Sequence, residues 1–168
     1  MRRGGVDRAS RENRGVGSFV IGLDDPRARD VAALLDEHLA YARRHTPPAD
    51  VHALDAAARV AEHLVYFTVR DGGRLLGVGA LSQLDDRHAE IKSMHVAGPE
   101  RGRGVGRALL DHLVQVARER GCDRVSLETG ASEGFAAARG LYASAGFEAC
   151  EPFGEYGPNS VYMTLPLA

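Results

Sequence analysis

The sequence predicts one α/β domain built on a mixed, mostly antiparallel sheet of six to seven strands with about four helices. Three observations predict it. Apolar runs of strand length alternate with stretches of helical spacing. Three consecutive runs, Val65–Arg70, Leu75–Gln83 and Ala89–Val96, are joined by the turns Asp71-Gly72-Gly73 and Asp85-Asp86-Arg87-His88, which gives an antiparallel meander. The run ending at Val96, a helix from Val105 and a run from Arg124 then make a strand–helix–strand unit. That length calls for a right-handed crossover and one parallel pair.

Each element has its own local signal. Ser18–Leu23 reads as the first strand. Asp25-Pro26 then sets a capping carboxylate before a proline at the first helical position. Val31, Leu34, Leu35, His38, Leu39 and Ala42 recur at helical spacing until Thr46-Pro47-Pro48 stops the helix. Leu54–His63 reads as a second helix, Ala-rich and weakly patterned. After the meander, helix Val105–Glu119 carries Val105, Leu109, Leu113 and Val116 on one face, and Gly121 ends it. Arg124–Glu128 is the fifth strand and Ser132–Ala145 the last helix, closed by Gly146. Phe147–Cys150 and Ser160–Leu165 finish the sheet.

The bulk properties exclude several function classes. The length suits one domain, residues 18–168, and 44% hydrophobic residues fill its core. A net charge of -2 argues against general binding to nucleic acid or membrane surfaces. Without Trp, a stacking platform for single strands is not expected. No apolar run is long enough to cross a bilayer. Residues 1–17 hold Arg2, Arg3, Arg8, Arg11 and Arg14 among Gly and Ser; they lack the apolar core of a signal peptide and have the composition of a disordered extension. The chain therefore reads as cytoplasmic. Cys122 and Cys150 have no metal or redox spacing and read as small buried hydrophobes. No metal site is expected.

The chemistry starts in the turn from Val96 to Arg107, where Gly98, Gly102, Gly104 and Gly106 alternate with Arg101, Arg103 and Arg107. Glycines let backbone N–H groups converge and a ligand approach closely. A helix starting there adds unpaired N–H groups and the positive end of its dipole. That combination is a phosphate cradle. No Lys-Ser/Thr follows the last glycine, and the spacing is not Gly-x-Gly-x-x-Gly, so neither standard nucleotide loop fits. The residues alone leave the phosphate compound open, a nucleotide included.

Arg101-x-x-Gly104-x-Gly106 resembles the pyrophosphate-binding motif of the GNAT superfamily of N-acetyltransferases, Gln/Arg-x-x-Gly-x-Gly/Ala. Leu141-Tyr142-Ala143-Ser144-Ala145-Gly146-Phe147 is similar to that family's Leu-Tyr-x-x-x-Gly-Phe signature. Pro47-Pro48, Val51-His52-Ala53-Leu54-Asp55, Glu90-Ile91-Lys92-Ser93-Met94, Leu127-Glu128-Thr129-Gly130, Pro152-Phe153, Tyr156 and Asn159-Ser160 resemble a bacterial subgroup of it. The resemblance spans residues 18–168. It implies the acyl-CoA N-acyltransferase fold, with the parallel pair at the coenzyme site. It also implies acetyl-CoA as co-substrate, with Arg101, Gly102, Arg103, Gly104, Val105, Gly106 and Arg107 around the pyrophosphate. Main-chain groups of Met94, His95 and Val96 would pair with the pantetheine arm and the thioester oxygen. Tyr142 would be the acid that protonates the leaving thiolate. Phe135 departs from the pattern, because relatives often carry Asn there.

The base is left between two carboxylates. Glu90 begins the fourth strand with Lys92 on the same face, and Glu128 ends the fifth. Each either takes the amine proton or forms an ion pair with Lys92, and family position favours Glu90. His52 and Asp55 fall where the family's acceptor pocket forms, His52 as a second base or a packed ring and Asp55 as a contact or a helix cap. Tyr156, Asn159 and Ser160 are further acceptor candidates. Glu128, Asp55 and Glu90 suit a cationic acceptor, while Lys92 either cancels that field or meets a carboxylate. The implied activity is direct attack by a primary amine, of a small molecule or peptide, on acetyl-CoA in a ternary complex. The alternative is a non-catalytic acyl-CoA-binding sensor or regulatory module. A homodimer is the oligomer that the resemblance admits.

Overall fold

A computed structural model describes residues 18–167. The strands are β1 (Val20–Asp24), β2 (Leu64–Asp71), β3 (Arg74–Asp85), β4 (His88–Val96), β5 (Arg124–Gly130), β6 (Glu148–Ala149) and β7 (Ser160–Pro166). The helices are α1 (Arg29–His45), α2 (Val105–Glu119) and α3 (Ala136–Ser144). The sheet runs β1-β2-β3-β4-β5-β7-β6. β4 and β5 pair in parallel, and every other neighbouring pair is antiparallel. This is the predicted mixed sheet with its single crossover.

Adjacent residues of β2 show how the two faces are covered. Tyr66 packs with Val78 and Ala80 under Val31, Leu34 and Leu35 of α1. Its neighbour Phe67 joins the opposite core with Leu76, Leu81 and the α2 residues Val105, Leu109, Leu110 and Leu113. Strand alternation sends the two rings to opposite faces, so the sheet is buried on both. The α3 residues Leu141 and Tyr142 complete the α2 side. Gly121, at φ 79°, ends α2 as predicted.

Three of the four predicted helices form. Leu54–His63 is instead a loop with one short 3-10 turn, Ala58–Val60. Its alanines offer no apolar stripe, and the segment is held by the buried Arg59. That guanidinium donates to the carbonyls of Leu54 (3.0 Å) and Leu35 (2.9 Å) and to Asp36 of α1 (2.7 Å). Helix α1 starts at Arg29 rather than at Pro26. Asp25 makes a separate turn, its side chain accepting from the Arg27 N–H at 2.8 Å and its carbonyl from Ala28 at 3.0 Å. The segment after Ser132 opens with a 3-10 turn, Glu133–Phe135, before α3 begins. Cys122 is buried as expected, whereas Cys150 is only half-buried because β6 is an edge strand. The extension predicted for residues 1–17 lies outside the described residues.

Candidate active site

The parallel pairing of β4 and β5 stops at Ile91 and Leu127. One position earlier on β3, its register with β4 slips: Val78 faces His95, Ala80 faces Lys92, and Gly79 alone spans Ser93 and Met94. This bulge puts Ser93 at φ 54°, a left-handed conformation that non-glycine residues rarely hold. From Lys92 on, β4 no longer pairs with β5, and a cavity of about 480 Å³ opens between the two strands. Its lining includes the predicted residues His52, Glu90, Lys92, Met94, His95, Val96, Arg101, Gly102, Gly104, Val105, Gly106, Arg107, Glu128, Tyr142, Tyr156 and Asn159. Arg103 and Asp55 are not part of that lining.

At one end the cavity meets the start of α2. Gly104 precedes the helix at φ 81°, ψ 7°, and no side chain caps it. Ala108 donates the helix's first backbone bond, to the Gly104 carbonyl at 3.0 Å. The N–H groups of Val105, Gly106 and Arg107 are thus left for a ligand. Gly106 also permits close packing: a Cβ there would lie 3.3 Å from Leu141 and 3.5 Å from Val96. The three arginines differ. Arg103 pairs with Glu100 and lies 4.0 Å from Asp71. Arg107 pairs with Asp111 at 2.9 Å. Arg101 has no carboxylate partner among the described residues and rests over the Tyr41 ring at 5.3 Å. Glu100, buried at 5% exposure, ties Arg74 of β3 to Arg103 and so anchors the turn.

The other end carries the titratable groups. Glu90, also 5% exposed, accepts a hydrogen bond from the Tyr156 hydroxyl. Lys92 Nζ donates to that same hydroxyl at 2.7 Å and lies 3.5 Å from Glu90 Oε1. Burial and the Glu90 carboxylate push the Tyr156 phenol far up. Glu128 has no ion-pair partner among the described residues. Burial raises its carboxyl above the ordinary value, with Ser160, His52 and Lys92 pulling back and Glu90 adding to the rise. Tyr142 is buried against Phe147, its phenol pushed up to about 12 by burial and by Glu128. The hydroxyl makes no hydrogen bond to the described residues.

Two loops close this end. His52 Nε2 accepts from the Gly157 N–H at 3.1 Å, and its ring stands edge-on to Tyr156 at 5.0 Å. Asn159 Nδ2 donates to Asp50 Oδ2 at 2.6 Å. His52 is therefore a packed ring that holds the loop before β7. Asp55 is exposed, and Oδ1 accepts from the Ala58 N–H at 2.9 Å, which ties it to the loop leading into the short turn. Sequence reasoning missed Asp50, Glu100 and His38, whose ring pairs with that of the predicted His95, centroids 5.3 Å apart, on the α1 side of the cavity. The signal for Asp50 was its place just before Val51-His52; Glu100 had none beyond its neighbour Arg101. Among the described residues no group of His, Cys, Asp and Glu is arranged to hold a metal, and no helix is long and apolar enough to cross a membrane.

Comparison with known proteins agrees with this geometry. The uncharacterized N-acetyltransferase YsnE of Bacillus subtilis is 42% identical over 149 residues, 88% of this chain and 99% of that protein. The uncharacterized N-acetyltransferase YedL of Escherichia coli is 40% identical over 151 residues, 89% of this chain and 95% of that one. A GNAT family acetyltransferase from Elizabethkingia anophelis, solved with acetyl-CoA bound, shares the fold at TM-score 0.65 and 17% identity, covering 89% of this chain and 98% of that chain. The model of the acetyltransferase (GNAT) family matches residues 31–147. The chain belongs to the GNAT acetyltransferase family and is an acetyl-CoA-dependent N-acetyltransferase.

Proposed function

We propose that the protein moves the acetyl group directly onto a primary amine of a small molecule or peptide in a ternary complex, with Glu128 as base and Tyr142 as acid. One observation carries the reading. Tyr142 and Glu128 face the same cavity where β4 and β5 part, close enough for the carboxylate to raise the phenol, and neither is bound up with a charged partner. Acetyl-CoA supplies the thioester whose acyl carbon the amine attacks. The free N–H groups at the start of α2 fit its pyrophosphate, and Arg101 supplies the unpaired positive charge. Arg103, engaged by Glu100, holds the turn in shape. The unpaired edge of β4 at Met94, His95 and Val96 offers main-chain groups to the pantetheine arm and the thioester oxygen.

Glu128 suits the base better than Glu90, which sequence position favoured. Glu90 already accepts from Tyr156 and faces Lys92, and these contacts leave it less open to the amine. Glu128 is partly desolvated, which makes it the stronger acceptor of a proton. Tyr142, neutral at any working pH, can give its proton to the departing sulfur. Neither Cys122 nor Cys150 lines the cavity, so no thiol there would carry the acyl group in between. Lys92, Tyr156 and Asn159 shape the acceptor end, and His52 positions their loop. Initial rates measured while both substrates vary test the direct transfer. Intersecting double-reciprocal lines are expected; parallel lines would mean an acyl-enzyme and overturn it.

A further inference from the structure

We propose that the acetyl acceptor is a small amine carrying a second cationic nitrogen, with Glu128 at the reacting amine and Asp50 at the other. This rests on the acetyl-transfer reading above. The acceptor end of the cavity is lined by three carboxylates, Asp50, Glu90 and Glu128, and by one ammonium, Lys92. Lys92 is already committed, to the Tyr156 hydroxyl at 2.7 Å and to Glu90. Among the described residues no Lys or Arg nitrogen lies within the 4.0 Å ion-pair limit of Asp50 or Glu128. His52 turns its Nε2 to the Gly157 N–H rather than to either carboxylate.

Asp50 is held in place by a specific arrangement. Pro48–Asp50 form a 3-10 turn that fixes its backbone, and Asn159 holds Oδ2 at 2.6 Å. Oδ1 lies against Gly157, where a Cβ would come within 1.8 Å of it, so a larger residue there would push the carboxylate aside. Both partners are uncharged, so neither supplies a counter-ion to this carboxylate at the rim of the cavity. The free cation, Arg101, lies at the opposite end with the cradle. A partly buried carboxylate without a counter-ion is unfavourable until a cation arrives, and a monoamine satisfies only one of two. An acceptor with its own carboxylate meets Glu128 and Asp50 as like charges. Asp50 thus takes the part that sequence reasoning gave to Asp55.

The test uses three acceptors of one chain length that differ only at the far end: pentylamine, the diamine cadaverine and the amino acid δ-aminovalerate. With acetyl-CoA saturating, kcat/KM is expected to be about tenfold higher for cadaverine than for pentylamine, the gap narrowing as salt rises, and lowest for δ-aminovalerate. Asp50→Asn should remove most of the difference between the two amines, and Asp50→Glu, which keeps the charge, should restore part of it. Equal values across the series, a preference for δ-aminovalerate, or an Asp50→Asn loss equal for both amines would overturn the proposal. Calorimetric titration of cadaverine and pentylamine into the protein saturated with coenzyme A separates the two layers. Tighter binding of cadaverine without turnover sinks the acetyl-transfer mechanism and keeps the acceptor class. Turnover with equal binding does the reverse.

Discussion

Tyr156 donates its phenolic hydrogen to the carboxylate of Glu90, 66 positions earlier in the chain, and the bond closes the loop before β7 onto the first part of β4. Because Glu90 is buried, removing this donor leaves a charged group short of a partner, with only Lys92 at 3.5 Å. Tyr156→Phe should therefore lower stability by about 1–3 kcal/mol, read as a fall in the urea midpoint at unchanged slope. An unmoved midpoint would mean that the bond contributes nothing to the folded state.

Tyr142 is the second point of attack. Its phenol, held at about 12, stays protonated through any assay range and can serve as a donor throughout. Tyr142→Phe removes only the hydroxyl from a ring that packs on Phe147. Turnover is expected to fall by about 10²–10⁴-fold, the usual worth of a general acid, while acetyl-CoA affinity stays within a few-fold. Rate and affinity falling together would assign the hydroxyl to binding instead.

The histidine pair predicts how stability depends on acid. Burial lowers His38 and His95 from 6.5 to about 4, reinforced by Arg59 at His38 and by His38, Arg101 and Arg44 at His95. The unfolded chain takes up protons near pH 6.5 and the folded one only near 4, so the unfolded state binds more protons between them. Their contribution is complete above 6.5 and is lost as the pH falls toward 4. Asp30, held low first by its hydrogen bond to Arg70, titrates below that window. The melting temperature should drop across the histidine window, and a His38→Gln, His95→Gln double variant should flatten the slope. An equally steep slope in the variant would place the acid sensitivity elsewhere.

What the sequence reveals about this fold is mostly local. Helix Val105–Glu119 has its bounds where the apolar spacing and Gly121 put them, and the Gly/Arg turn faces the cavity as its chemistry requires. Both depend on residues close together in the chain. Leu54–His63 fails as a helix because its conformation is decided by Arg59 reaching α1, a contact that no local pattern encodes. The ranking of Glu90 and Glu128 is equally hidden, since it turns on Tyr156 arriving from another loop. Which of Asp50 and Asp55 faces the cavity depends on the path of that same irregular segment. Glu100 takes its role from Arg74 of β3, a partner that no pattern local to the turn reveals.

The choice of base is tested most directly by the pH profile of kcat/KM for the parent, Glu128→Gln and Glu90→Gln. The parent should show an acid limb above the ordinary glutamate value of 4.5, because burial raises Glu128 and the base works only when ionised. Glu128→Gln should be slow and lack that limb, and Glu90→Gln should keep it. A limb that survives in Glu128→Gln and vanishes in Glu90→Gln would contradict the assignment and return the base to β4.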